Sequence, residues 1–130
     1  APYLVSASLI AVLAQRLVRK ICPNCKEEYT PSTSIRKTVQ KWAGEELTFY
    51  RGMGCQKCRN TGYIGRIAIH EMFIPDDKML DKITQGIPLK ALRTAAIENG
   101  MVPLHLDGIE KIKAGITTID EILRVANISE

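Results

Sequence analysis

Two short cysteine turns constrain this chain more than any other feature: Cys22-Pro23-Asn24-Cys25 and Cys55-Gln56-Lys57-Cys58, separated by residues 26 to 54. Each Cys-x-x-Cys turn brings two sulfurs together, and two such turns supply the four soft donors that a tetrahedral structural zinc ion takes. The spacing therefore predicts a zinc site with Cys22, Cys25, Cys55 and Cys58 as ligands. Two alternatives use the same residues. Disulfides inside each turn would cross-link almost nothing, and no signal peptide or other mark of an oxidising compartment is visible. A redox dithiol usually comes as one pair at the start of a helix, not as two pairs. Four thiolates leave no open position for water, so the metal is expected to hold structure and not to catalyse. In zinc-finger peptides such a site contributes on the order of 10 kcal/mol to folding.

The pattern around the turns predicts an α+β chain, mostly helical. The run Ala1 to Ile21 has no charge before Arg16, and Leu9, Leu13, Leu17 and Ile21 recur at i, i+4, which predicts a mostly buried helix ending near Lys20, with Pro2 tolerated near its start. Its 15 uncharged residues, interrupted by Ser6, Ser8 and Gln15, are too few and too polar for a membrane span. Between the cysteine pairs, Ser34 is expected to cap a helix with Ile35, Val39 and Trp42 on one stripe and Gly44 at its end, and Leu47 to Tyr50 reads as a strand. Trp42 and Phe49 are expected to form the small core of this self-contained region.

After the second turn, Gly62 and Gly65 permit tight backbone turns, and Arg66 to Phe73 reads as a strand with Ile67 and Ile69 on one face. Four short helices follow. Asp76 or Asp77 caps the first before Gly86, Pro88 opens the second, Leu104 to Lys113 is the third, closed by Gly115, and Thr118 with Glu121 makes a capping box for the fourth. The chain is thus read as segments 1–21, 22–59, 60–74 and 75–130, the last a helical bundle. It opens on Ala1 inside an apolar run, which suggests a piece of a longer protein.

The formal charge is +4, but residues 16 to 66 hold 11 Lys/Arg against 4 Asp/Glu, and residues 67 to 130 hold 7 against 10. A tetrathiolate zinc site carries two net negative charges, so the basic half falls to about +5 when metal is bound. Catalytic motifs are missing: there is no G-x-x-x-x-G-K-[ST], no H-E-x-x-H and no G-x-S-x-G. The two histidines, His70 and His105, are read as structural or solvated. Nothing in these residues makes a complete active site, so this stretch alone is not expected to be an enzyme.

One ordered set of motifs is far more specific than the cysteines. Ser8-Leu9-Ile10 leads through Ala14-Gln15-Arg16-Leu17-Val18-Arg19 to the first turn. The second turn is followed by Thr61-Gly62-Tyr63-Ile64-Gly65-Arg66, Ile69-His70-Glu71, and later Gly115-Ile116-Thr117-Thr118 with Glu121 and Arg124-Val125. Together they closely resemble the C-terminal end of secretion ATPases of the GspE/PilB type, the hexameric motors of bacterial type II secretion and type IV pilus assembly. The resemblance implies a parent protein with a RecA-like ATPase core that uses ATP and Mg, its Walker motifs lying before Ala1. Pilus-retraction ATPases lack such a cysteine arm, so that branch is not the one resembled.

The same resemblance implies that 22–59 is a zinc arm inserted between a core helix, Ala7 to Lys20, and a core strand, Arg66 to Phe73. It places Arg66 near the nucleotide, with Gln15, Arg16 and Arg19 as weaker candidates for nucleotide or subunit contacts. It further implies a homo-hexameric parent in the bacterial cytoplasm, peripheral at the inner membrane through a platform protein and a cytoplasmic adaptor, with no nucleic acid as partner. The rival reading is a nucleic-acid-binding zinc ribbon, in which the basic residues with Trp42, Phe49, Tyr50 and Tyr63 would supply phosphate contacts and stacking.

Overall fold

The structure is a computed structural model that describes residues 12–126. Among these residues lie four strands, β1 (Val12–Ile21), β2 (Lys26–Tyr29), β3 (Phe49–Gly52) and β4 (Tyr63–Phe73). Five helices accompany them: α1 (Thr33–Ala43), α2 (Asp77–Gln85), α3 (Leu89–Glu98), α4 (Leu104–Lys113) and α5 (Ile119–Val125). The architecture is α+β, with two two-stranded sheets, β1 with β4 and β2 with β3.

The described residues divide into two compact units, one built from residues 15–69 and 104–126, the other from 12–14 and 70–103. The larger unit has a continuous apolar core of Val18, Val39, Phe49, Ile69, Ile109, Ile112, Ile119, Ile122 and Ala126. In it β2 and β3 run antiparallel, pairing Lys26 with Gly52 and Tyr29 with Phe49. Helix α1 starts where Ser32 Oγ accepts the Ile35 N–H at 3.3 Å and stops at Gly44, whose φ of 74° suits glycine. The close approach of α4 to α5 depends on Gly108, because a side chain there would run into Ile122. In the smaller unit α2 begins on Asp76, whose Oδ1 accepts the Met79 N–H at 2.8 Å, and α3 begins after Pro88. Met79, Ala95 and Ala96 form its small core, with Phe73, Leu92 and Met101 packed on them. No helix among the described residues is long and apolar enough to cross a membrane.

Four expectations are corrected. The helix over Ala7 to Lys20 is, in its described part, the strand β1, while Pro2, Leu9 and the start of that helix lie outside the described residues. Leu13 and Leu17, on the supposed buried stripe, are 50% and 48% exposed, whereas Val18 and Ile21 are buried. Pairing with β4 decides the matter: a run of apolar residues without helix caps takes the ladder that a distant strand offers.

The cap of α1 is Ser32, not Ser34. Segment 75–130 is not one bundle, since α2 and α3 belong to the smaller unit while α4 and α5 belong to the larger. The region between the cysteine pairs is not self-contained either, because Val39 and Phe49 share their core with Ile109 and Ile112 of α4.

Candidate metal centre

The four cysteines come from the two ends of the β2–α1–β3 excursion, and the elements that hold them are short. Cys22 follows β1 directly; its N–H donates to Gly62 O at 2.9 Å, which ties the first turn to the exit of the second. Met53 N–H donates to Cys25 O at 3.1 Å, closing the β2–β3 ribbon against the first turn. The second turn ends on Arg59 and Asn60, both left-handed at φ 56° and 63°, before Gly62 at φ 83°. Gly52 and Gly62 pass so closely that a side chain on either would strike the backbone of the other. Glycine at both positions is therefore a steric requirement.

All four sulfurs lie within 4.8 Å of one another. Cys22 to Cys55 is 3.7 Å, Cys25 to Cys58 is 3.8 Å and Cys55 to Cys58 is 3.7 Å. A tetrahedral ion with metal–sulfur bonds of about 2.3 Å puts its ligands about 3.8 Å apart, so the donor set and its spacing fit a thiolate-bound metal ion. No pair is bonded as a disulfide. Cys22 and Cys58 are buried, and Cys25 and Cys55 are half-buried.

The sulfurs are also supplied with donors. Gly54 N–H donates to Cys25 Sγ at 3.3 Å, and Cys55 N–H and Gly62 N–H each donate to Cys58 Sγ at 3.2 Å. The Asn24 side-chain amide crosses from the first turn to donate to Cys55 Sγ at 3.2 Å. Desolvation pushes Cys25 up to about 12, with the neighbouring thiols adding to it against the Gly54 N–H. At Cys58 desolvation acts in the same sense, but the N–H groups of Cys55 and Gly62 overcome it and bring the thiol down to about 6. Cys55 is lowered first by the Asn24 amide. Four thiolates so close together would repel, and a bound cation would offset that repulsion.

Beside the centre, Glu121 organises a second cluster. Its carboxylate is buried and accepts the Arg19 N–H at 2.7 Å, Arg19 Nη2 at 3.1 Å and Arg124 Nη2 at 2.9 Å. Burial alone would raise this carboxyl, but the Arg124 and Arg19 donors outweigh it and hold Glu121 down to about 2. The expected capping box is thus only half formed: Thr118 Oγ1 accepts the Glu121 N–H at 3.2 Å, while the Glu121 side chain turns to Arg19. Tyr63 completes the cluster, with its ring 4.1 Å beneath the Arg19 guanidinium and its hydroxyl 2.8 Å from Thr118 Oγ1.

The structure brings the four cysteines together, and it separates the predicted arginines by role. Arg19 is committed to Glu121 and Tyr63. Gln15 and Arg16 are exposed on β1, where Arg16 Nη1 donates to the Gln15 carbonyl at 2.9 Å. Arg66 is exposed on β4, and among the described residues its side chain has no ion pair or hydrogen bond. His105 packs edge-on against Trp42, ring centres 5.1 Å apart. The sulfur donors Asn24, Gly54 and Gly62 were missed by sequence reasoning; Asn24 alone left a trace, an amide placed between two cysteines.

The sequence profile of the family described as "Type II/IV secretion system protein" matches residues 1–124. The chain belongs to that family. It is 40% identical over 128 residues to the "Type II secretion system ATPase E" of Vibrio cholerae, covering 98% of this chain and 25% of the relative. It is 41% identical over 124 residues to the "Type IV pilus assembly ATPase PilB" of Thermus thermophilus, covering 94% of this chain and 14% of that relative. A third relative, the "Type IV pilus assembly ATPase TfpB" of Acinetobacter baylyi, is 35% identical over 138 residues, covering 98% of this chain and 22% of the relative. The chain spans about a quarter of these relatives' length or less.

Proposed function

We propose that this chain is the zinc-binding segment of a motor ATPase that drives type II secretion or type IV pilus assembly. The observation that carries the reading is the cluster of four sulfurs within 4.8 Å, inside a sequence matched to the secretion family over residues 1–124. Cys22, Cys25, Cys55 and Cys58 would hold one zinc ion, which supplies a rigid four-way cross-link and no reactive position. Residues 22–59 form the arm. The adjoining strands β1 and β4 would be continuous with a RecA-like core in which the parent hexamer binds ATP and Mg.

In this reading the segment contributes stiffness. A metal-pinned arm transmits displacement that a flexible loop would absorb, so nucleotide-driven domain movement reaches a membrane platform protein or a cytoplasmic adaptor. Arg66, exposed and without an ion pair among the described residues, is the arginine proposed to face nucleotide, where its planar fork suits phosphate or adenine. The parent would work in the bacterial cytoplasm, peripheral at the inner membrane through its partners.

The aromatic side chains that the rival nucleic-acid reading needs have partners within the chain. Phe49 is buried, Trp42 is packed on His105, Tyr50 lies 4.7 Å under Lys26 Nζ, and Tyr63 lies under Arg19. The test is Cys55→Ser in the full-length protein. Loss of bound zinc together with loss of secretion or piliation, while nucleotide binding persists, is expected; full activity without zinc contradicts the proposal.

A further inference from the structure

We propose that Asn24 is a positioning residue of the metal centre, whose side-chain amide, carried on one cysteine turn, orients Cys55 Sγ of the other turn and draws charge from it. The inference rests on the metal reading above and adds to it a residue outside the ligand set.

The donors to sulfur are of two kinds. Those on Cys25 and Cys58 come from the backbone N–H groups of Gly54, Cys55 and Gly62, which the turns themselves supply. The donor on Cys55 is a side chain 31 residues away in sequence, reaching 3.2 Å across the cluster from the opposite turn. Asparagine suits this place. Pro23 before it fixes one dihedral and removes a competing N–H, and a planar amide offers two donors at short reach. Aspartate has the same shape but no N–H, and it would set a carboxylate against a thiolate.

A tetrathiolate site with a divalent ion carries two excess negative charges, so each N–H···S bond relieves repulsion among the ligands and fixes the direction of a sulfur lone pair. Outer partners of this kind are worth about 10- to 100-fold in metal affinity. Asn24 is exposed, so its amide is not held in place by burial; the contact to Cys55 is what occupies it.

Cobalt(II) titration of the metal-free, nucleotide-free full-length protein reads both affinity and the sulfur-to-cobalt charge-transfer band. Asn24→Asp keeps size and turn preference, so a role confined to turn shape predicts wild-type behaviour. The proposal instead predicts cobalt binding about 10- to 100-fold weaker, with the charge-transfer band moved to lower energy because the undonated sulfur is richer in electrons. Asn24→Ala is expected to move both readouts in the same direction by less, and it carries the measurement if the aspartate variant does not fold. A wild-type tetrathiolate spectrum with both variants unchanged overturns the role of Asn24 and leaves the metal site standing. A wild-type protein that gives no tetrathiolate spectrum overturns both.

Discussion

Within the larger unit, residues 22–25 and 53–62 are arranged around four sulfurs, with left-handed backbone at Gly54, Arg59, Asn60 and Gly62. Elsewhere in the same unit, α4 and α5 bury Ile109, Ile112, Ile119 and Ile122 against Val18, Val39 and Phe49, and a buried Glu121 ties α5 to β1. The first arrangement crowds four sulfurs that a bound cation would hold as thiolates. The second is held by apolar burial and needs none. Within one compact unit, then, the cysteine region is expected to depend on metal and the helical region to outlast its removal.

The largest effect separates them. Chelation, or Cys22→Ser, removes a contribution on the order of 10 kcal/mol from the cysteine region. Amide hydrogen exchange is expected to show residues 22–29 and 49–62 losing protection while α4 and α5 keep theirs. Equal loss in both regions would erase the distinction. The reverse perturbation is Ile122→Ala, which empties part of a fully buried site and should cost about 3 kcal/mol in denaturant unfolding, with metal affinity unchanged.

Glu121→Gln sharpens the helical side. It weakens the hydrogen bonds to Arg19 and Arg124 and is expected to cost about 2 kcal/mol at neutral pH. Its pH signature has a definite sign. The folded carboxyl sits at about 2 against an ordinary value of 4.5, so its stabilisation is fully present above 4.5 and fades as pH falls toward 2. The glutamine variant should therefore lose less stability than wild type between pH 5 and 2 in parallel acid titrations; identical acid limbs would mean that the carboxylate contributes nothing.

A smaller loss is expected from Gly108→Ala. The added methyl group meets Ile122, and overpacking of this kind costs about 1 to 2 kcal/mol, which thermal melts can detect. The least effect belongs to the solvated Lys113–Glu110 pair at 3.5 Å, where Glu110→Gln should change stability by less than about 0.5 kcal/mol.

The same contrast explains what could be read from the chain alone. Cysteine turns and helix ends are local devices, so the four sulfurs, the Thr118 cap, a cap at Asp76 or Asp77 and the glycine stops at Gly44 and Gly86 were legible from neighbouring residues. Strands β1 and β2 were not. β1 is apolar at intervals that suit a helix as well as a strand, and Lys26-Glu27-Glu28-Tyr29 has no alternation at all; each becomes a strand because a partner distant in sequence offers it a ladder. Glu121 was misread for a related reason. Its capping-box role is plausible locally, but Arg19, 102 residues earlier, is the stronger partner for its carboxylate.

X-ray absorption at the zinc edge, with elemental analysis of the same purified protein, tests the central claim most directly. The account predicts one zinc per chain with four sulfur neighbours at about 2.3 Å. Substoichiometric metal, or a first shell containing nitrogen or oxygen, would contradict it.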